Sequence, residues 1–217
     1  MSLAIILLLV LVLGLAALVL GPSLFRRYVI TRLLDDETLK KLGSDGVAKT
    51  ADTIRFVPRA TPSWRDPSRV SALESSFRAE GFATVGVFDV PELPGLMLQG
   101  WVRPEEQLAG TIYDHPKAGI WFDIFTHYQD EQSLTGTNKD ATGLDERPGH
   151  PVVRSVGGSL ADVLGVFRAA VLPKERWVID ASNFEARFVQ AYAHGVAWRK
   201  YRGVSAAEVR ALAEKRL

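Results

Sequence analysis

Two aspartates, two histidines and five aromatic rings fall within sixteen residues, YDHPKAGIWFDIFTHY at 113–128. Imidazole beside carboxylate is the donor set of zinc and non-haem metal sites and of general acid–base pairs. Across the chain the set comprises His115, His127 and His150 with Asp114, Asp123 and Asp145, and its chemistry would be metal-dependent hydrolysis. The spacing does not specify that chemistry: there is no HExxH and no HxH, and His115 precedes Pro116, where a turn residue is expected. Nucleophilic chemistry has less support. The chain has no cysteine and no serine in a GxSxG elbow, and GGSL at 157–160 reads as a glycine turn feeding a helix cap. No GxGxxG or GxxxxGK[ST] loop offers a phosphate cradle. His115, Asp123, His127, Asp145 and His150 stand as the candidate catalytic residues, no cofactor or metal is implied, and the pattern leans away from an enzyme.

The segments that would position these residues change period along the chain. Asp66 is a helix N-cap with Pro67 at the first helical position, Val70, Leu73 and Phe77 recur at helical spacing, and Gly81 supplies the stop. The period then becomes two. Short β-branched or aromatic runs occupy 82–90, 96–102, 108–114, 120–128, 133–138 and 151–156, most of them separated by turn clusters such as PELPG, RPEEQ, HPKAG and QDEQ. Loops this short do not carry parallel crossovers, so an antiparallel meander of five or six strands is expected. SLADVLGVFRAAVL at 159–172 closes the domain as a helix capped by Ser159. The fold class is α+β, with helices flanking one side of the sheet.

A four-residue loop, PKAG, closing His115 on Ile120 would set Tyr113 opposite Phe122 and Ile112 opposite Asp123. Ile120, Phe122, Ile124 and Tyr128 then share one face of the strand, and Trp121, Asp123, Phe125 and His127 the other. A strand apolar on both faces is covered on both, by helices on one side and by helices, lipid, ligand or another protein on the other. Trp101, Trp121 and Phe125 are the wall residues of a hydrophobic ligand site in that reading. The long loop NKDATGLDERPGHP at 138–151 is the segment that would border any site.

The ends of the chain carry a different signal. LAIILLLVLVLGLAALVL at 3–20 contains nine Leu, two Ile and three Val and no polar side chain, and as a helix it would be about 27 Å long, close to the hydrocarbon thickness of a bilayer. The expected organisation is a transmembrane anchor at 1–22, a juxtamembrane segment and tether at 23–65, the α+β domain at 66–172 and a helical basic tail at 173–217. Val29, Leu33 and Leu42 would form the apolar face of a short juxtamembrane helix near the lipid surface, and residues 43–68 read as a flexible tether in which TIRFV at 53–57 could pair as an added strand. Arg26, Arg27 and Arg32 follow the apolar run and nothing basic precedes it, so the positive-inside rule puts the N-terminus outside and the domain in the cytoplasm of an inner or plasma membrane. Residues 196–217 hold six Lys or Arg against two Glu, while the whole chain carries only +1. Phe184, Phe188 and Tyr192, with Trp198 beyond, form an aromatic stripe on the tail helix that reads as core packing or as a surface for a partner. Balanced charge and the lack of a reader motif argue against nucleic acid. The functional expectation is an interaction or accessory module of a membrane complex, with a hydrophobic small-molecule or lipid-binding domain as the alternative and the hydrolase third.

Overall fold

The computed structural model describes residues 29–215. The apolar run at 3–20, Arg26 and Arg27 lie outside these residues. Among the described residues no helix is long and apolar enough to cross a membrane. Arg32 is exposed, in a π-helical turn at Val29–Leu33.

The chain divides into two compact units. The larger, Ala51–Asp140 with Glu146–Trp198, holds the sheet. Seven strands lie side by side in chain order: β1 (Val57–Pro58), β2 (Ala83–Asp89), β3 (Met97–Arg103), β4 (Leu108–His115), β5 (Gly119–His127), β6 (Ser133–Thr137) and β7 (Val152–Arg154). The expected α+β class and antiparallel order hold from β1 to β6. The last pair departs from it: β7 runs parallel to β6, with Thr135 opposite Val152, because the 138–151 loop is long enough to return the chain to the starting end of β6.

The β4–β5 register is also one residue off the expected one. Only Pro116–Ala118 form the turn, closing His115 on Gly119, and Gly119 takes φ +73, a conformation that a side chain disfavours. Tyr113 therefore lies opposite Trp121, Ile112 opposite Phe122, and Asp123 opposite Thr111. His115 serves this turn, its Nδ1 accepting from the backbone N–H groups of Lys117 and Ala118 at 3.2 Å each.

Helices cover both sheet faces rather than one. On the first face α2 (Pro67–Ala79) and α3 (Leu160–Ala170) build a core of Val70, Phe77, Leu160, Val163, Leu164 and Phe167 over Trp101, Leu108, Ile112, Phe122, Ile124 and Leu134. Both start as expected: Asp66 accepts from Arg69 N, and Ser159 forms a reciprocal capping box with Asp162. On the second face Phe184, Phe188, Val189 and Tyr192 of α4 (Phe184–Arg202) pack with Leu98, Val102, Tyr113 and Phe125. Phe184, Phe188 and Tyr192 of the aromatic stripe pack in the core there, with Phe184 fully buried, and Trp198 beyond them is half-buried.

Strand glycines make the close helix approach possible. Along one row the sheet reads Trp101, Gly110, Ile124, Gly136 and Val153, alternating large and absent side chains. Phe77 lies over Gly110 and Phe167 over Gly136; on the opposite face Phe184 lies over Gly100. A Cβ at these three glycines would meet the rings at 2.5, 3.0 and 2.6 Å, respectively.

The stretch expected as a tether is structured. Ile54 and Phe56 are buried, Phe56 packs on Phe88 with ring centroids 4.9 Å apart, and Arg65 pairs with the buried Asp114 carboxylate at 2.8 Å. RWVID at 176–180 forms no strand beyond a single bridge between Arg176 and Tyr128.

The smaller unit comprises Ala141–Asp145 with the described residues before Ala51 and from Arg199 onward. It pairs α1 (Asp36–Ala48) with α5 (Ala206–Lys215). Leu39 is its buried apolar anchor, and Leu33 and Leu42, expected on an apolar face near the lipid surface, are about half exposed (53% and 50%). A Cβ at Gly43 would sit 2.9 Å from the side chains of Val204 and Val209. The basic tail is knitted by Glu208, which accepts from Ser205 N and Asp145 N at 2.8 Å each and from Arg202 Nη1 at 2.9 Å. Burial pushes that carboxyl up, but these donors outweigh burial and hold it at about 2.

Candidate functional site

A cavity of about 330 Å³ opens between the second face of the sheet and α4. Its floor follows the period-two pattern of β5: Asp123, Phe125 and His127 all line it, with Ser133 and Thr135 of β6, Val152 of β7 and Tyr113 of β4 beside them. Arg187, Phe188, Ala191, Tyr192, His194 and Gly195 of α4 line it from the helix side. Trp177, Arg147 and His150 reach it from connecting segments.

Local hydrogen bonds explain how these last three arrive. Trp177 N donates to His127 O at 2.8 Å, and Gln129 N to Glu175 O at 3.0 Å, so the segment before α4 is laid along the end of β5. Tyr128 Oη accepts from Leu172 N at 2.9 Å and fixes where that segment begins. His150 is held by its own backbone N–H to Arg147 O and by a 2.8 Å bond between its Nδ1 and Ser133 Oγ. The 138–151 loop thus borders the cavity through its final residues.

The cavity is polar at two ends and aromatic between them. At one end stands Asp123. Burial pushes its carboxyl up to about 6, against the opposing pull of the Thr137 and Tyr113 hydroxyls and of the Lys139 ammonium. Tyr113 is raised by burial and then by the Asp123 charge, and its ring stacks on Trp121 at 4.6 Å between centroids. Lys139 Nζ lies 3.4 Å from the centre of the Trp121 ring. At the other end, about 13 Å away by the rise of four strand residues, stand His127, His150 and His194, three of the four histidines in the chain. Burial pushes His127 down to about 4, with the neighbouring Arg187 and His150 adding to it. His150 is lowered by burial and then by Arg147. Phe125 and Phe188 lie between the two ends, with centroids 6.0 Å apart.

The structure therefore divides the candidate residues. Asp123, His127 and His150 come to one cavity. His115 is in the β4–β5 turn, and Asp145 is in the smaller unit, paired with Arg202. Among the described residues no three His, Asp or Glu side chains form a group that could hold a metal ion, so the hydrolase set does not assemble. The proposed wall divides as well. Phe125 lines the cavity, but Trp101 is fully buried on the opposite face, stacked on Phe77 at 5.3 Å. The Ser133–His150 bond has the composition of a nucleophile–base pair without the third member of a triad. Among the described residues no side chain hydrogen-bonds the other ring nitrogen of His150.

Sequence reasoning missed Arg147, Trp177, Arg187 and His194. Only Arg147 had a signal, its place in the long loop. The chain matches no protein-family model, no curated protein and no solved structure.

Proposed function

We propose that the larger unit is a binding domain for a small amphipathic molecule held between the second sheet face and α4. The observation that carries this reading is the cavity itself: about 330 Å³, at the small end of the range for ligand sites, with aromatic walls and a few polar groups at its ends. Both sheet faces are covered by helices of the same chain, which removes the main argument for the sheet as a docking surface. Catalysis has in its favour only the Ser133–His150 contact, with no further side chain bonded to that imidazole and no metal-ligating group among the described residues.

Membrane anchoring through residues 3–20, with the domain on the cytoplasmic side, is part of the same proposal and rests on the sequence alone. An accessory role in a membrane complex keeps one observation in its favour: Leu33, Leu42 and the 93% exposed Tyr201 of the smaller unit are large apolar side chains left in solvent.

Gly195 provides the test. It lines the cavity inside α4, and a Cβ there would meet nothing within 4 Å. Gly195→Leu fills the space while improving helix propensity by about 0.8–1 kcal/mol. Ligand-observed NMR of the full chain with a mixture of small aromatic and aliphatic compounds should give hits that Gly195→Leu loses while its melting temperature stays level or rises. Hits retained undiminished by the variant would overturn the assignment.

A further inference from the structure

The geometry points to a ligand that carries an anion, a carboxylate or phosphate monoester on an apolar body, bound with its charge at the Arg147 and Arg187 end of the cavity and its body between Phe125 and Phe188. This inference rests on the ligand-binding reading and specifies its chemistry.

Three observations carry it. First, ten described arginines, from Arg55 to Arg210, have a carboxylate within 4.0 Å. Arg147 and Arg187, the two that line the cavity, have none among the described residues, although both are only partly exposed; Arg32, Arg69 and Arg176 also have none but lie outside the cavity. A half-buried guanidinium with five donors and no acceptor is poised for an oxyanion. Second, the two arginines come from distant parts of the chain to the same histidine cluster, Arg187 beside His127 and Arg147 beside His150. Arg187 is further fixed by lying over the Trp177 ring at 4.0 Å, which reduces the freedom it would lose on binding. Third, of the three carboxylates around the cavity one is distant and one is paired elsewhere, so the two arginines outnumber the single carboxylate left at their end. Asp123 is at the far end of β5 and Asp130 pairs with Lys174 at 2.7 Å, whereas Glu131 lines the histidine end, 3.9 Å from His194, and acts with Asp130 on His150. His127, His150 and Ser133 supply further polar contacts at the same end.

The test compares 1-naphthoate with its uncharged isostere 1-naphthamide by isothermal titration calorimetry on the full-length chain, using wild type, Arg147→Gln, Arg187→Gln and Gly195→Leu. The expected result is that the acid binds at least tenfold more tightly than the amide, that each Arg→Gln variant removes most of this preference while leaving the amide unchanged, and that Gly195→Leu loses both. Equal binding of acid and amide, indifferent to Arg→Gln but lost in Gly195→Leu, overturns the anion and leaves the cavity reading standing. Binding of neither compound, or binding that Gly195→Leu leaves intact, overturns both.

Discussion

Replacing Gly110 by alanine tests whether the sheet is built on ring-over-glycine packing. The new Cβ would lie 2.5 Å from Phe77 Cε1 and 3.3 Å from the Asp123 carbonyl oxygen. A comfortable carbon–carbon contact needs about 3.5 Å or more, so the ring must retreat by about 1 Å. It has nowhere to go: Phe77 is fully buried, stacked on Trp101, and edge-on to Phe82 at 5.1 Å and to Phe122 at 5.8 Å. Overpacking of this kind costs about 1–3 kcal/mol. The smaller unfolded-state entropy of alanine returns about 0.4–1 kcal/mol. The net destabilisation is then about 1–2 kcal/mol, which with a urea dependence of roughly 3 kcal/mol/M lowers the unfolding midpoint by about 0.3–0.7 M. Near-ultraviolet circular dichroism reads the transition through the aromatic core. Phe77→Leu in the same chain should relieve the clash, so the double variant should be more stable than the sum of the two single losses by at least about 1 kcal/mol. An unshifted midpoint for Gly110→Ala, or strict additivity in the double variant, would refute the packing argument.

Three further outcomes follow from buried charges. Asp123 has a raised pKa in the fold, so its neutral form is favoured and stability is lost as the pH rises from about 4 through about 6; Asp123→Asn should gain on wild type across that window in urea midpoints, and a pH-independent difference would count against the burial of this group. Asp114 is 2% exposed and accepts from both the backbone and the guanidinium of Arg65; Asp114→Ala should cost about 2–4 kcal/mol, read as a fall in melting temperature, with Asp114→Asn costing less. Glu208 is held at about 2, so its contribution is present above its ordinary value of 4.5 and fades as the pH falls towards 2. Glu208→Gln should therefore be less stable than wild type at pH 7 and close to it near pH 2, which far-ultraviolet melts at the two pH values would measure.

How much was legible beforehand follows from where the determining contacts lie along the chain. Helix starts at Asp66–Pro67 and Ser159 are written in adjacent residues, and the two-sided apolar pattern of β5 foretold cover on both faces. The one-residue register shift was hidden because it depends on Gly119 entering the left-handed region, which allows a three-residue turn where the letters PKAG suggest four. The parallel β7 was hidden in loop length: the short turns between the other strands set the antiparallel expectation, whereas 138–151 is long enough for a crossover. The glycines at 100, 110 and 136 look like strand weakeners until the rings of Phe184, Phe77 and Phe167 are placed over them. At the site, Asp123 and His127 were marked by their shared face on β5, and His150 by its loop. Arg187 and Trp177 carried no local signal, since nothing short of the tertiary pairing of residues 175–177 with the end of β5 brings them to the cavity.

The central claim is that the α4 cavity holds a small molecule. The most direct test is to purify the full-length chain and the Gly195→Leu variant side by side, extract each with organic solvent, and compare the small molecules released by mass spectrometry. The account predicts an ion recovered near stoichiometrically with wild type, carrying an ionisable acid group, and absent from the variant. Identical extracts from the two proteins would contradict it.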